Sequence, residues 1–169
     1  MNKRNVWSKL LPAVLAVTCL GQPAAFADDG IGERWTTQER IEGVWLAKVT
    51  ITNCATGEAL PFPGAKFDAM GVFASNGILH NTDQNNPATK SETFGTWERT
   101  GRNTYRFAFR LFRFDTTGLF TGSQIVRHNV VLSRDGLSYT SSGNAEFYDV
   151  SGIRMLPDGC SKATATRFK

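Results

Sequence analysis

Apolar and polar residues alternate along most of the chain after residue 42, and no sustained apolar pattern at helical spacing interrupts them. Alternation with a period of two is typical of β-strands that bury one face. Turn-forming pairs such as Asn76-Gly77 and Asp135-Gly136 separate the alternating runs. The predicted strands are 43–52, 66–74, 78–82, 93–99, 103–115, 119–132, 137–149, a short one over 153–156, and 161–168.

A meander of eight or nine strands must hide its edges, either by closing into a barrel or by packing as two sheets. In an antiparallel pair, the residue numbers of opposed residues have a constant sum. The sums for Trp45 with Arg167 and for Cys54 with Cys160 differ by only two. Pairing of the first strand with the last is therefore favoured, and we predict an all-β fold, an antiparallel up-and-down barrel of eight or nine strands.

Residues 1–27 have the three parts of a secretory signal: a basic start, an apolar stretch over 10–20, and small residues at Ala25 and Ala27 before the cleavage point. The apolar stretch is too short for a stable membrane anchor. We therefore expect a secreted or periplasmic protein, cleaved after Ala27. The expected domains are a signal peptide over 1–27, an N-terminal segment over 28–40 and a β-barrel over 41–169.

Cleavage changes the charge of the chain. The 169 residues carry a net charge of +4, but three of the 19 basic residues and none of the 15 acidic residues lie in the signal. The remaining 16 basic and 15 acidic residues give +1, which argues against a nucleic-acid partner. Arg106 and Arg110 belong to a local cluster of arginines over 99–113 and share the outer face of one predicted strand. Two interpretations fit these arginines equally well: they contact an anionic partner, or they are solvated charges that discourage aggregation between sheets.

Cleavage also changes the cysteine count from three to two, because Cys19 lies in the signal. Residues 16–18 make a poor lipoprotein motif before Cys19, so the lipoprotein alternative is disfavoured. An exported chain with an even number of cysteines favours a disulfide between Cys54 and Cys160. Two free thiols in the core are the alternative.

The start of the first strand, Gly43-Val44-Trp45, resembles the Gly-x-Trp signature of lipocalins and other calycin-type barrels. In those folds an arginine from the last strand lies across the tryptophan and closes the barrel, and Arg167 is the matching residue. The resemblance spans roughly 41–169 and extends to the related barrels of allene oxide cyclases and dirigent proteins. It implies barrel closure by Gly43, Trp45 and Arg167, and a small apolar molecule as the partner.

The lumen of an eight-stranded barrel is either filled by side chains or holds one small ligand. Small residues at inward positions of the last strands face bulky aromatic residues, which favours a cavity. The expected ligand-binding residues are Phe67, Phe73, Tyr105, Phe107, Phe109, Gln124, His128 and Tyr139.

His128 and Gln124 are the candidate catalytic or polar ligand-binding residues, because they lie four residues apart on one face of a predicted strand. Inside a cavity they could orient a polar group of the ligand or act as acid and base. The alternative for His128 is a half-solvated place near the barrel mouth. Two histidines without further ligands at metal-binding spacing predict no metal site, and no cofactor motif is present.

Three functions remain from the sequence. The leading interpretation is an exported barrel that binds a small apolar molecule in its lumen. A cyclase or isomerase of the allene-oxide-cyclase type is the enzymatic alternative. A module that acts through its loops on a protein partner, with a packed lumen, is the third.

Overall fold

A computed structural model describes residues 40–169 of the chain, which contain eight β-strands in chain order. The predicted signal peptide and residues 28–39 of the predicted N-terminal segment lie outside the described residues. The strands are β1 (Gly43–Thr52), β2 (Lys66–Phe73), β3 (Ile78–Asp83), β4 (Thr93–Arg99), β5 (Thr104–Phe114), β6 (Phe120–Leu132), β7 (Ser138–Tyr148) and β8 (Arg154–Arg167).

The strands form one closed barrel in which each strand pairs antiparallel with the next and β8 pairs with β1. The prediction of an all-β, antiparallel up-and-down barrel is confirmed. In the seam between β1 and β8, Trp45 lies opposite Arg167 and Thr52 lies opposite Cys160. Closure pairs the first strand with the last, so neither presents an open edge to another chain.

The last strand differs from the sequence-based expectation. The predicted strands over 153–156 and 161–168 are a single strand, β8, whose register with β7 shifts next to Phe147. Pairing with β1 ends at Cys160, so Pro157 lies where β8 has only one neighbour. Proline lacks an N–H group and is tolerated at such a position and at bulges. The segment around Pro157 is therefore a bulge within a strand, and the strand count is eight.

A disulfide fastens the seam at one end of the barrel. Cys54, just after β1, is bonded to Cys160 in β8, and the two residues are 106 positions apart in the chain. The covalent link therefore joins the first and last strands, as the sequence favoured.

The other end of the barrel is closed by Trp45, which has no exposed surface. Its indole Nε1–H group donates a hydrogen bond of 2.7 Å to the carbonyl oxygen of Ile41. The guanidinium carbon of Arg167 lies 4.4 Å from the centroid of the Trp45 rings, a cation–π contact. Trp45 and Arg167 thus form the base of the barrel.

Arg167 also ties together the chain segments around this base. Gly43 has a φ of +130°, and a Cβ atom there would lie 2.6 Å from Nη1 of Arg167, so a side chain at position 43 would displace the guanidinium. Nε, Nη1 and Nη2 of Arg167 donate hydrogen bonds of 2.6–2.9 Å to the carbonyl oxygens of Gly136, Glu42 and Arg40, respectively.

Candidate ligand-binding cavity

The barrel encloses a cavity of about 370 Å³ that is lined by inward side chains from every strand except β4. The cavity exists because β1, β2, β7 and β8 contribute small inward residues, which leave space beside the aromatic residues of β2, β5 and β7. Pockets that hold small molecules in proteins are typically about 300–1,000 Å³, so the volume suits one small ligand. The small residues among the lining are Ala47, Ala69, Gly71, Ser141, Ala145, Gly159, Ser161 and Ala163.

Aromatic rings form the deep end of the cavity, above Trp45. Tyr139 packs edge-on against Trp45 with 4.9 Å between ring centroids, and Phe73 contacts both Tyr139 and Phe107 at about 6 Å. Burial raises the pKa of Tyr139 to about 12, so its hydroxyl stays protonated at neutral pH. Leu79, also fully buried, completes the same end. The described side chains of the deep end are thus closely packed aromatic and aliphatic groups that carry no charge at neutral pH.

Seven of the eight predicted ligand-binding residues line this cavity. Tyr105 does not: its ring lies 5.9 Å from that of Trp97 at the closed end, and only 3% of its surface is exposed. The seven residues on the cavity wall are Phe67, Phe73, Phe107, Phe109, Gln124, His128 and Tyr139.

His128 lies in the middle of the wall and is 5% exposed. Its Nδ1 is 3.0 Å from Ser141 Oγ, and its Nε2 is 2.9 Å from Ser161 Oγ. The imidazole also stacks on Phe107, with 5.2 Å between ring centroids. Burial lowers the pKa of His128 from its usual value of 6.5 to about 4, so the ring is neutral at pH 7.

A neutral imidazole has one N–H donor and one acceptor nitrogen. One of the two serines therefore accepts a hydrogen bond from His128, and the other donates one to it. The remaining capacity of each hydroxyl lies at the cavity wall, where it could meet a polar group of a ligand. Gln124 lies on the same strand and also borders the cavity, so the two predicted polar residues share one wall.

Three charged residues of the described part of the chain line the cavity: Asp83, Lys90 and Arg113. Asp83 and Lys90 form an ion pair with side chains only 16% and 13% exposed. The guanidinium carbon of Arg113 lies 5.3 Å from the ring centroid of Phe147. All three lie at or beyond the strand ends opposite the Trp45 base, so charge is confined to the mouth of the cavity.

The segment between β3 and β4 brings Lys90 to this mouth. A short 3-10 turn covers Pro87–Thr89, and the Asn86 side chain accepts a hydrogen bond of 2.9 Å from its backbone. Beyond the turn, Lys90 forms an isolated β-bridge with Arg113. Ser91 bonds the backbone of Phe112 in both directions at 2.9 Å, through its N–H and its Oγ. These bonds fold the segment against β5, beside the cavity.

Sequence reasoning missed the three charged residues. Arg113 lies an even number of positions from Phe107 and Phe109, so strand alternation places all three on the inward face of β5. This signal was present in the sequence, but the arginine-rich segment around Arg113 favoured an outward position. Lys90 lies outside any strand, so periodicity carries no information on its direction. Only the contacts between its segment and β5 define its position.

Comparison with known protein families and with curated proteins finds no match for this chain. Within residues 40–169, no helix is long and apolar enough to cross a membrane. The same residues contain no group of three His, Cys, Asp or Glu side chains placed to hold a metal ion.

Proposed function

We propose that this protein is an exported barrel that binds one small, largely apolar molecule in its lumen. The observation that carries the proposal is the 370 Å³ cavity with an aromatic deep end and a polar mouth. A barrel made only for stability would gain from a filled lumen, because empty volume costs packing energy. The closure by Trp45 and Arg167 supports a lipocalin-like architecture, in which one end of the barrel is sealed.

Export is the second part of the proposal. The signal-like residues 1–27 support it, and so does the disulfide between Cys54 and Cys160, since disulfides persist mainly in oxidising compartments. Expression of the full chain in a secreting bacterial host tests it directly. We expect the exported product to begin at Asp28 by N-terminal sequencing; retention of the intact chain in the cytoplasm would contradict export.

Binding in the lumen can be measured with the uncharged fluorescent probe N-phenyl-1-naphthylamine. We expect saturable fluorescence enhancement with one site per barrel. Ala69→Phe places a ring inside the cavity and should weaken binding at least tenfold. Met70→Phe adds the same ring at the next position, which is 43% exposed on the outer face, and should bind like the wild type.

The matched pair separates the lumen from the surface. Enhancement that survives Ala69→Phe would locate the probe outside the barrel and contradict the proposal. Absence of any enhancement would contradict it as well. Circular dichroism of both variants would verify that the barrel remains folded.

Catalysis by a cyclase or isomerase is the alternative function. His128 with a serine on each nitrogen supports it, since such a group can pass a proton to a bound substrate. A histidine with a pKa of about 4 is a weak base at neutral pH, however, and proton transfer follows base strength. This weak basicity favours binding over catalysis. Deuterium uptake from D₂O into a bound enone, lost in His128→Gln, would favour catalysis instead.

A further inference from the structure

The charge at the mouth of the cavity indicates what kind of ligand enters it. Among residues 40–169, the charged residues of the lining are Lys90, Asp83 and Arg113, and they sum to one excess positive charge. We propose that the ligand is an amphiphile with a single carboxylate, held between Lys90 and Arg113, whose apolar body extends toward Phe73 and Tyr139. This inference rests on the proposed function and adds the class of ligand to it.

Lys90 is the first support. Its Nζ atom is buried and contacts Asp83, yet it makes no hydrogen bond of standard geometry to any of the described residues. An ammonium has three donors, and a buried ion is costly to leave without hydrogen bonds. A carboxylate at the mouth supplies the acceptors that Asp83 alone does not supply.

Arg113 is the second support. Arg113 is half-buried, its guanidinium lies over the ring of Phe147, and the residue lines the cavity beside its β-bridge with Lys90. Guanidinium groups present donors in a planar fork that matches a carboxylate. The contact with Phe147 restricts the orientations of this fork, and restriction before a ligand arrives reduces the entropy lost on binding.

Charge balance is the third support. His128, the remaining titratable group on the middle of the wall, is neutral at pH 7. An uncharged ligand would leave the excess positive charge of the mouth in place, and a cationic ligand would increase it. A singly charged anion cancels it, whereas a second negative charge would meet Asp83.

Isothermal titration of the purified protein with dodecanoate and with dodecanol tests the inference. The two ligands share one apolar chain and differ in the head group. We expect dodecanoate to bind at least tenfold more tightly than dodecanol at pH 8, since hydrogen bonds to charged groups contribute about a factor of ten or more. Equal affinities would overturn the inference.

Variants of the mouth locate the effect. Lys90→Met with Arg113→Gln should reduce the preference for dodecanoate over dodecanol to less than threefold. Lys48→Met is the matched control, because it removes a lysine from an exposed ion pair with Asp68 on the outer face. A preference that persists in the mouth variant would overturn the inference.

Asp83→Asn gives a test of opposite sign and does not depend on the stability of the double variant. Removal of the carboxylate raises the charge at the mouth, so the preference for dodecanoate should increase by about threefold or more, whereas Asp68→Asn should leave it unchanged. A decrease or no change in Asp83→Asn would overturn the inference. If dodecanol binds to the wild-type protein, the proposed function stands whatever the head-group result; if neither ligand binds to it, both proposals fail.

Discussion

Gly143 lies directly opposite His128 in the pairing of β6 with β7, and there is no space for a side chain at position 143. A Cβ atom built at position 143 would lie 2.7 Å from Cδ2 of His128 and 1.8 Å from the carbonyl oxygen of Arg127. The second distance involves backbone, which cannot rotate away. The absence of a side chain at position 143 is thus what allows the imidazole to lie flat against the wall between its two serines.

Gly143→Ala should therefore destabilise the barrel by roughly 3 kcal/mol or more, above the usual cost of overpacking because backbone must move. Urea unfolding followed by circular dichroism measures the change. Gly71→Ala is the control: its Cβ would have neighbours at 3.8–4.0 Å, and its stability should equal or slightly exceed that of the wild type. Equal stability of the Gly143→Ala and Gly71→Ala variants would contradict the assigned contact.

His128 should make stability depend on pH in a defined window. Its pKa falls from 6.5 to about 4 on folding because burial disfavours the charged ring. The folded state then binds fewer protons than the unfolded state between these values, so its stability is complete above pH 6.5 and decreases as the pH falls toward 4. The loss is on the order of 3 kcal/mol.

The measurement compares unfolding free energies of the wild type and His128→Gln across pH 4 to 7. We expect the difference between the two curves to change within the stated window and to level off on either side. His80→Gln, at an exposed position of β3, is the histidine control. A difference curve for His128→Gln that stays constant with pH would show that the ring titrates normally.

Removal of the disulfide should cost much of the stability of the barrel. It closes a loop of 106 residues, and the loss of chain entropy in the unfolded state corresponds to about 4–5 kcal/mol as an upper bound. We expect a lower thermal midpoint for the double variant Cys54→Ser/Cys160→Ser. A thiol reductant should lower the wild-type midpoint and leave that of the double variant unchanged; no response of the wild type would argue against the bond.

Arg167→Ala should destabilise the closed end by about 2–4 kcal/mol, because it removes the contact with Trp45 and leaves three carbonyl oxygens without their donors. Arg167→Lys should recover only part of this, since an ammonium cannot reproduce the planar fork. Arg127→Ala on the outer face, where the side chain is 52% exposed, should change stability by less than about 1 kcal/mol. Chemical denaturation of the three variants compares them.

The sequence predicted which residues face the lumen far better than how deep they lie. Tyr105 and Phe107 share one face of β5, yet the pairing of β4 with β5 sets Tyr105 opposite Arg99 at the closed end and leaves Phe107 on the cavity wall. The two-residue alternation of a strand defines which face of the sheet a side chain lies on. How deep that side chain lies in the barrel depends on the stagger of neighbouring strands. That stagger is a long-range property.

Two other differences have the same physical origin. Pro157-Asp158-Gly159 has the composition of a turn, but pairing on both sides of it with β7 continues β8 as one strand. The mouth residues Asp83 and Lys90 come together because the segment after β3 folds back onto β5. Local composition predicts neither result, since both depend on contacts between segments that are distant in the chain.

The seam also determines where an attachment to this molecule would emerge. β1 begins and β8 ends at the base formed by Trp45 and Arg167, and the N–H group of Phe168 bonds the carbonyl oxygen of Val44 at 2.9 Å. A tether fused beyond Lys169 therefore leaves the barrel at the pole away from Lys90 and Asp83. Barrels immobilised through that tether would all present their entrances to the solution, oriented alike on a sensor surface.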